Sequence, residues 1–253
     1  MNALTLKNIS YSYHSLREET PALKNISFSV AEGEFVAIVG PSGCGKSTLL
    51  SIIAGLLPPE SGSIITNSAN PALSKTTIGY MLQKDHLLPY RNILQNVLLG
   101  PEIQKKVSNE TLDYAGELLR EYGLWDVKDK YPDELSGGMR QRVALIRTMV
   151  LNPSLLLLDE PFSALDYQTR LYVSADICGR IRKAGKTALL ITHDLSEAIS
   201  LADRIIVLTN RPATVKKQLK IELSNERDDP IATRTAKEFN EYFEILWKEL
   251  HNE

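Results

Sequence analysis

Cysteine is scarce: only Cys44 and Cys178 occur among 253 residues. Two thiols cannot build the bridge framework on which small secreted domains depend, so a reducing compartment is the expected setting. An excess of either charge is also missing. Against 29 lysines and arginines stand 31 aspartates and glutamates, a formal net charge of -2. A broad nucleic-acid surface calls for a basic excess, so no nucleic-acid partner is expected. Long hydrophobic runs are absent as well. Nothing approaches the roughly 18 apolar residues of a membrane span, and the longest runs, such as Leu155 to Leu158, are strand-sized. Met1 to Ser10 lacks the basic start, apolar stretch and cleavage site of a secretory signal. A link to a membrane would then run through a partner. Repeats and low-complexity segments do not stand out. What remains is an ordinary globular composition, 43% hydrophobic and 24% charged, long enough to bury a stable core.

The pattern along the chain is that of an α/β domain with an insertion. Leu4 to Tyr13 and Leu23 to Val30 read as strands, separated by the turn-like stretch Ser15 to Thr20. Glu34 to Val39 is a short apolar strand, and a helix pattern from Lys46 to Leu57 stops at Pro58 and Pro59. Thr77 to Leu82 is another strand. From Leu88 to Leu151 helical spacing takes over, as in Leu112, Ala115, Leu118, Leu119 and Tyr122, which marks a helical insertion. Ser154 to Leu158 and Thr187 to Thr192 are apolar on both faces, as strands of a covered parallel sheet are. The helix Asp166 to Ala184 between them, closed by Gly185, completes a strand–helix–strand unit with a right-handed crossover. Arg204 to Leu208 adds a strand and Thr214 to Leu223 an edge strand. Near the end, Phe239, Tyr242, Phe243, Leu246, Trp247 and Leu250 follow helical spacing, the stripe of a helix that docks on the domain.

Chemistry enters with Gly40-Pro41-Ser42-Gly43-Cys44-Gly45-Lys46-Ser47-Thr48, a Walker A pattern between an apolar strand and a helix. Glycines let backbone wrap closely around phosphates. Successive N–H groups and the helix start then face negative charge. Lys46 is expected to reach the β- and γ-phosphates, Ser47 to hold Mg²⁺, and Thr48 to add a phosphate contact. Cys44 fits the loop as a small residue; no pattern supports a catalytic thiol. The strand Leu155 to Leu158 ends in Asp159 and Glu160, and ligands of parallel sheets bind beyond the strands' carboxyl ends. Asp159 is expected in the Mg²⁺ shell, and Glu160 as the base that polarises an attacking water. His193 and Gln83 each follow a strand in the same way. The histidine is placed to reach the γ-phosphate or orient the water, and Gln83 to bind metal or water where the helical insertion begins.

A second glycine-led helix start is Leu135-Ser136-Gly137-Gly138-Met139-Arg140-Gln141. Such an end is an anion site without an anion of its own, which makes sense if it serves another subunit. Taken in order, the phosphate loop, Gln83, this segment, Leu155 to Glu160, Ser163-Ala164-Leu165-Asp166 and His193 resemble the ABC ATPase family over almost the whole chain. The resemblance implies a P-loop NTPase, RecA-like core with an antiparallel β subdomain and an inserted helical subdomain. Residues 1–87 and 152–225 would form the core with its β subdomain, 88–151 the helical subdomain and 226–253 a C-terminal helix, all in one ABC ATPase domain. It implies ATP and Mg²⁺ as ligands. Two copies would sandwich two ATP molecules head to tail, each ATP capped by Ser136, Gly137 and Gly138 of the neighbour. Glu160 would be the catalytic base, His193 a γ-phosphate contact and Asp166 a link across the interface. The family also stacks adenine on an aromatic after the first strand. Tyr11 and Tyr13 both compete for that place, and spacing to the second strand favours Tyr13.

Family members of this kind work on the cytoplasmic face of a membrane with permease subunits and, indirectly, a solute-binding protein. The stretch Asp85 to Leu94 would meet the permease through exposed apolar residues, with Ile93 and Val97 open to an ordinary core role. Met139, Leu87-Leu88-Pro89 and Asn210-Arg211-Pro212 resemble the branch that imports nitrate, sulfonates, taurine and bicarbonate, which also includes importers of pyrimidine-type vitamin precursors. Tyr90 stands where many members of that branch carry tryptophan. A soluble ABC ATPase acting on DNA or ribosomes would show two cassettes or a long coiled-coil insertion, and a small-molecule kinase would lack Ser136 to Gly138.

Overall fold

A computed structural model describes residues 1–15, 18–66, 77–224 and 230–251. In chain order the elements are β1 (Asn2–His14), β2 (Glu19–Ala31), β3 (Phe35–Val39), α1 (Lys46–Ile53), β4 (Ser61–Thr66) and β5 (Ile78–Met81). The helices α2 (Ile93–Val97), α3 (Leu99–Ile103), α4 (Asn109–Glu121) and α5 (Gly137–Met149) follow. Then come β6 (Leu155–Asp159), α6 (Tyr167–Lys183), β7 (Thr187–Ile191), α7 (Leu195–Leu201), β8 (Arg204–Leu208), β9 (Val215–Lys220), α8 (Pro230–Thr235) and α9 (Lys237–His251). Two compact units emerge, one of Met1–Thr76 with Gln168–Glu253 and one of Thr77–Tyr167.

In the first unit β1 lies antiparallel between β2 and β4, the expected antiparallel β subdomain. Strand β4 has no counterpart in the sequence reading. Five of its six residues are exposed, so it lacks the alternation that betrays a half-buried strand. The second sheet of this unit is built on β3, whose five residues are all buried. β3 runs parallel to β7, pairing Ile38 with Ile191, and parallel to β8, pairing Val39 with Val207. The expected edge strand appears as β9, antiparallel to β8. Helix α1 ends at Ile53 rather than at the prolines. Gly55 takes φ 74°, and Leu56 N and Leu57 N both turn back to Ser51 O, so a left-handed glycine closes the helix first.

Helix α9 packs on α7 and β8. Phe239 and Leu246 are buried, but Trp247 is 52% exposed, so the apolar stripe docks only in part. Its indole stacks between Phe243 and His251 on the helix surface. Residues 16 and 17 of the expected Ser15 to Thr20 turn, and residues 226–229 and 252–253 of the expected C-terminal segment, lie outside the described residues.

The second unit joins the parallel pair β5–β6 to the helices α2 to α5. Gly79 in β5 is enforced by packing. A Cβ there would lie 2.8 Å from both Thr148 of α5 and Pro153, so α5 sits directly on the strand. Ile93 and Val97 of α2 are fully buried, the ordinary core role. Among the described residues no helix is long and apolar enough to cross a membrane.

Candidate nucleotide-binding and hydrolysis site

The phosphate loop belongs to the first unit. It leaves the carboxyl end of β3 and enters α1, and its shape demands glycine at two places. Gly43 adopts φ 72° and Gly45 φ 119°. A Cβ on Gly45 would also lie 2.9 Å from Leu23 Cδ2 and 3.1 Å from Ala22 O, so the loop rests on β2. Lys46 is 8% exposed, and its ammonium donates to Gly40 O and Pro41 O, both at 2.8 Å. The loop thus wraps its own cation and holds the charge where a phosphate chain would lie. Ser42, Gly43 and Ser47 are exposed, while Thr48 is buried. Cys44 is buried beside the lysine. Burial pushes its thiol up against the lowering influence of Lys46, as befits a space-filling residue rather than a nucleophile.

Tyr13 and Tyr11 occupy different places. The Tyr13 hydroxyl shares a 2.8 Å hydrogen bond with the Thr48 hydroxyl, and the Tyr13 ring is 41% exposed. Tyr11 packs edge-on against that ring, with centroids 5.1 Å apart. The Arg211 guanidinium lies 5.6 Å from the Tyr13 ring centroid, within cation–π range, a neighbour the sequence reading did not include. His193 follows the carboxyl end of β7. Because β7 pairs in parallel with β3, the histidine and the phosphate loop leave the same sheet edge. His193 is exposed, and Asp194 after it caps α7 by accepting from Ser196 N and Glu197 N.

The carboxylates belong to the second unit. Asp159, the last residue of β6, is 4% exposed. Glu160 takes φ 48°, a left-handed conformation unusual for a residue with a side chain. Its carbonyl accepts from the Ser163 amide at 3.2 Å and hydroxyl at 3.0 Å, which anchors the turn. Gln83, following β5, donates from Nε2 to Glu160 Oε2 at 3.1 Å. The two residues leave neighbouring parallel strands and meet, as side chains at one sheet edge should.

The helix start at Ser136 is in the same unit. The Ser136 hydroxyl caps α5 by accepting from Met139 N at 3.3 Å. A Cβ on Gly138 would fall 2.4 Å from Leu165 Cδ2, so glycine lets the segment leading to Asp166 lie against the helix start. Ser136 and Asp166 are exposed. Gln83, Asp85, Gly137, Arg140 and Ser163 line one open cleft of about 540 Å³.

The stretch after Gln83 departs from expectation. Leu87 is 9% exposed and Leu88 is intermediate, so the leucines face inward, whereas Pro89 and Tyr90 are exposed. A buried Asn96 explains this. Its amide oxygen accepts from Leu88 N at 2.8 Å, and its amide nitrogen donates to Leu88 O, Arg91 O and Asn92 O. The same stretch is tied to α5. Arg140 Nε donates to Asp85 Oδ2 at 3.1 Å, and Arg147 donates to His86 O and Asp85 O at 2.8 and 2.5 Å. Asp85, Asn96, Arg140 and Arg147 were missed as site supports. The one local signal was an asparagine interrupting the apolar positions Ile93 and Val97.

Comparison with known proteins supplies the family. A family model described as ABC transporter matches residues 23–163. An uncharacterized ABC transporter ATP-binding protein, YtlC of Bacillus subtilis, is 45% identical over 252 residues, covering 100% of this chain and 97% of that protein. The formylaminopyrimidine import ATP-binding protein ThiZ of Halalkalibacterium halodurans is 42% identical, covering 83% of this chain and 80% of that protein. The nitrate import ATP-binding protein NrtD of Synechocystis is 39% identical, covering 90% and 85%. Among solved structures, a dimeric post-hydrolysis state of the ATP-binding cassette MJ0796 with ADP and phosphate superposes with a TM-score of 0.75 at 33% identity, covering 87% of this chain and 99% of that one.

Proposed function

The chain belongs to the ABC transporter family, and from that membership we propose that it is the ATP-hydrolysing subunit of an importer. It works as a homodimer on the cytoplasmic face of a membrane, joined to permease subunits and served by a solute-binding protein. The observation that carries the hydrolytic reading is the 3.1 Å contact between Gln83 and Glu160 at the ends of β5 and β6. It holds the carboxylate of the general base by one oxygen and leaves the side chain aimed beyond the sheet edge. Lys46 and the backbone of Gly40, Ser42, Gly43, Cys44, Gly45, Ser47 and Thr48 take the triphosphate. Tyr13 stacks on adenine, with its ring fixed by Thr48. Glu160 accepts a proton from the attacking water, and His193 contacts the γ-phosphate.

The residues present also fit Mg²⁺. Ser47, Gln83 and Asp159 carry a hydroxyl, an amide and a buried carboxylate, the oxygen donors this ion prefers. The Gln83 amide nitrogen bonds Glu160, so its amide oxygen points elsewhere. When bound, the ion supplies positive charge against the phosphoryl oxygens.

The solved MJ0796 cassette is a dimer. A second copy of the present chain would bring Ser136, Gly137 and Gly138 onto the nucleotide and Asp166 across the interface. ATP then favours the closed pair because it gains contacts there that the open pair lacks. Exposed Tyr90 and Pro89, beside the Asn96-clasped loop, form the surface offered to the permease.

For the cargo we propose a small anion of the nitrate, sulfonate or bicarbonate kind; NrtD, 39% identical, is named for nitrate import. A pyrimidine-type vitamin precursor is the second reading, favoured by ThiZ at 42% identity. The test is uptake by vesicles holding this chain with its permease and binding protein. ATP-driven accumulation of one of these solutes, lost in Lys46→Ala, is the expected result. Uptake that ignores ATP, or an ATPase that never associates with a membrane partner, would contradict the assignment.

A further inference from the structure

Asn210-Arg211-Pro212 has no task in the nucleotide site described so far, although it forms the tip of the hairpin between β8 and β9. Two threonines close that tip. Thr209 N donates to Thr214 O at 3.0 Å, and Thr214 N donates to the Thr209 hydroxyl at 2.8 Å. The tip is also tied to β2. Ala213 N donates to Ala22 O, and Ala213 O accepts from Lys24 N, both at 2.9 Å. Ala22 and Ala213 are fully buried at this junction. Ala22 and Leu23 are also the residues on which Gly45 of the phosphate loop rests. One short stretch of β2 thus seats both the phosphate loop and the Arg211 tip.

On this fixed base the Arg211 side chain is exposed, and among the described residues no carboxylate pairs with it. Its guanidinium faces an aromatic instead, 5.6 Å from the centroid of the Tyr13 ring. Other approaches to that ring are taken. The Tyr13 hydroxyl is bonded to Thr48, and Tyr11 stands against the ring at 87°. The ring nevertheless stays 41% exposed.

We propose that Arg211 is a nucleotide-binding residue that closes over the adenine, so that the base lies between the Tyr13 ring and the guanidinium. This rests on Tyr13 as the adenine platform proposed above. A planar, delocalised guanidinium stacks on aromatic faces and on bases alike. Arg211 does not lie flat on the centre of the ring, since direct stacking would bring it to about 3.5–4.0 Å. A base between two planes needs two such spacings, about 7 Å in all, which a small swing of this exposed side chain supplies. The backbone that carries it is already anchored, so little ordering is left for the moment of binding. Lys46 and the loop backbone take the phosphates, so the contribution of Arg211 should follow the base and not the phosphate chain.

The test is equilibrium binding of two ligands to the full chain: ADP, and pyrophosphate, which offers two phosphates without a base. Arg211→Ala should raise the Kd for ADP about three- to thirtyfold and leave that for pyrophosphate within about twofold. Parental ADP affinity would overturn the inference. A loss shared equally by pyrophosphate would overturn it too, by placing the guanidinium on phosphate or by showing that the loop itself is disturbed. In the Tyr13→Ala, Arg211→Ala double variant the losses should not multiply, because the guanidinium no longer has a ring to press the base against. Fully multiplying losses would mean two independent contacts and no sandwich. Tyr13→Ala separates the two levels. Weakened ADP binding there beside parental binding in Arg211→Ala sinks this inference alone, whereas parental binding in Tyr13→Ala removes the platform and this inference with it.

Discussion

The phosphate loop and the Gln83–Glu160 corner perform complementary tasks with opposite construction. The loop is made of backbone. Its lysine is held by two main-chain carbonyls of the same nine-residue segment, and its curvature comes from glycines with positive φ. The corner is made of side chains from residues 77 apart, joined by an amide–carboxylate hydrogen bond, with Glu160 itself in a left-handed conformation. A backbone-built loop is already shaped for its ligand, as phosphate cradles are. A corner joined through side chains is open to resetting when a ligand competes for the Gln83 amide or the Glu160 carboxylate. On the proposed function, tight binding and switchable chemistry would reside in differently built parts.

Substitutions can break this contrast. The largest effect is expected for Lys46→Ala, which empties the loop of its cation. ATP affinity and hydrolysis should both fall, turnover by about 10²-fold or more, in nucleotide-binding and phosphate-release assays. Retained binding would mean the loop grips phosphate without its lysine, and the contrast would collapse.

Next comes Glu197→Gln, read as stability against pH. The Glu197 carboxyl sits at about 7 in the fold against an ordinary 4.5. The native state therefore holds a proton that the unfolded chain has released between those values, and stability from this group falls as pH rises through that window. At pH 8 the amide variant should be more stable to unfolding than the parent by on the order of 3 kcal/mol, with the gap closing toward pH 4.5. A gap independent of pH would show that the carboxyl is not shifted.

Tyr13→Ala is expected to weaken ATP binding by about 1–3 kcal/mol while sparing the phosphate grip. Tyr11→Ala should change affinity less, since Tyr11 touches Tyr13 by its edge. Equal losses would reopen the assignment between them. The smallest stability effect belongs to Asp85→Ala. Its pair with Arg140 is partly exposed at both ends, 29% and 36%, so the unfolding free energy should change by under about 1 kcal/mol. Its effect should be on coupling, with ATPase stimulation by the permease reduced at near-parental basal turnover. Unchanged stimulation would show that the Asp85–Arg140 pair carries no coupling between the Gln83 segment and α5.

Legibility followed the same divide. The phosphate loop, the glycine-led helix start at Ser136 and the strand-end acids could be read because each is a short contiguous run whose chemistry needs those residue types. The buried strands β3, β6 and β7 were legible through continuous apolar runs. Features that depend on distant partners were not. Leu87 turned inward because Asn96 claims the backbone around it, and Trp247 stayed outside because Phe243 and His251 stack on it instead of the domain. Strand β4 hid because it is exposed on both faces, and α1 stopped early because Gly55 closed it before the prolines could. The Asp85–Arg140 link joins side chains whose polarity alone says nothing of their partner.

The most direct measurement is ATP binding, turnover and mass of the Glu160→Gln variant with ATP present. The amide keeps the shape and cannot take the proton from water, so turnover should fall about 10²- to 10⁴-fold while ATP still binds and a nucleotide-loaded dimer accumulates. Turnover at the parental rate, or an ATP-saturated variant that stays monomeric, would contradict the account.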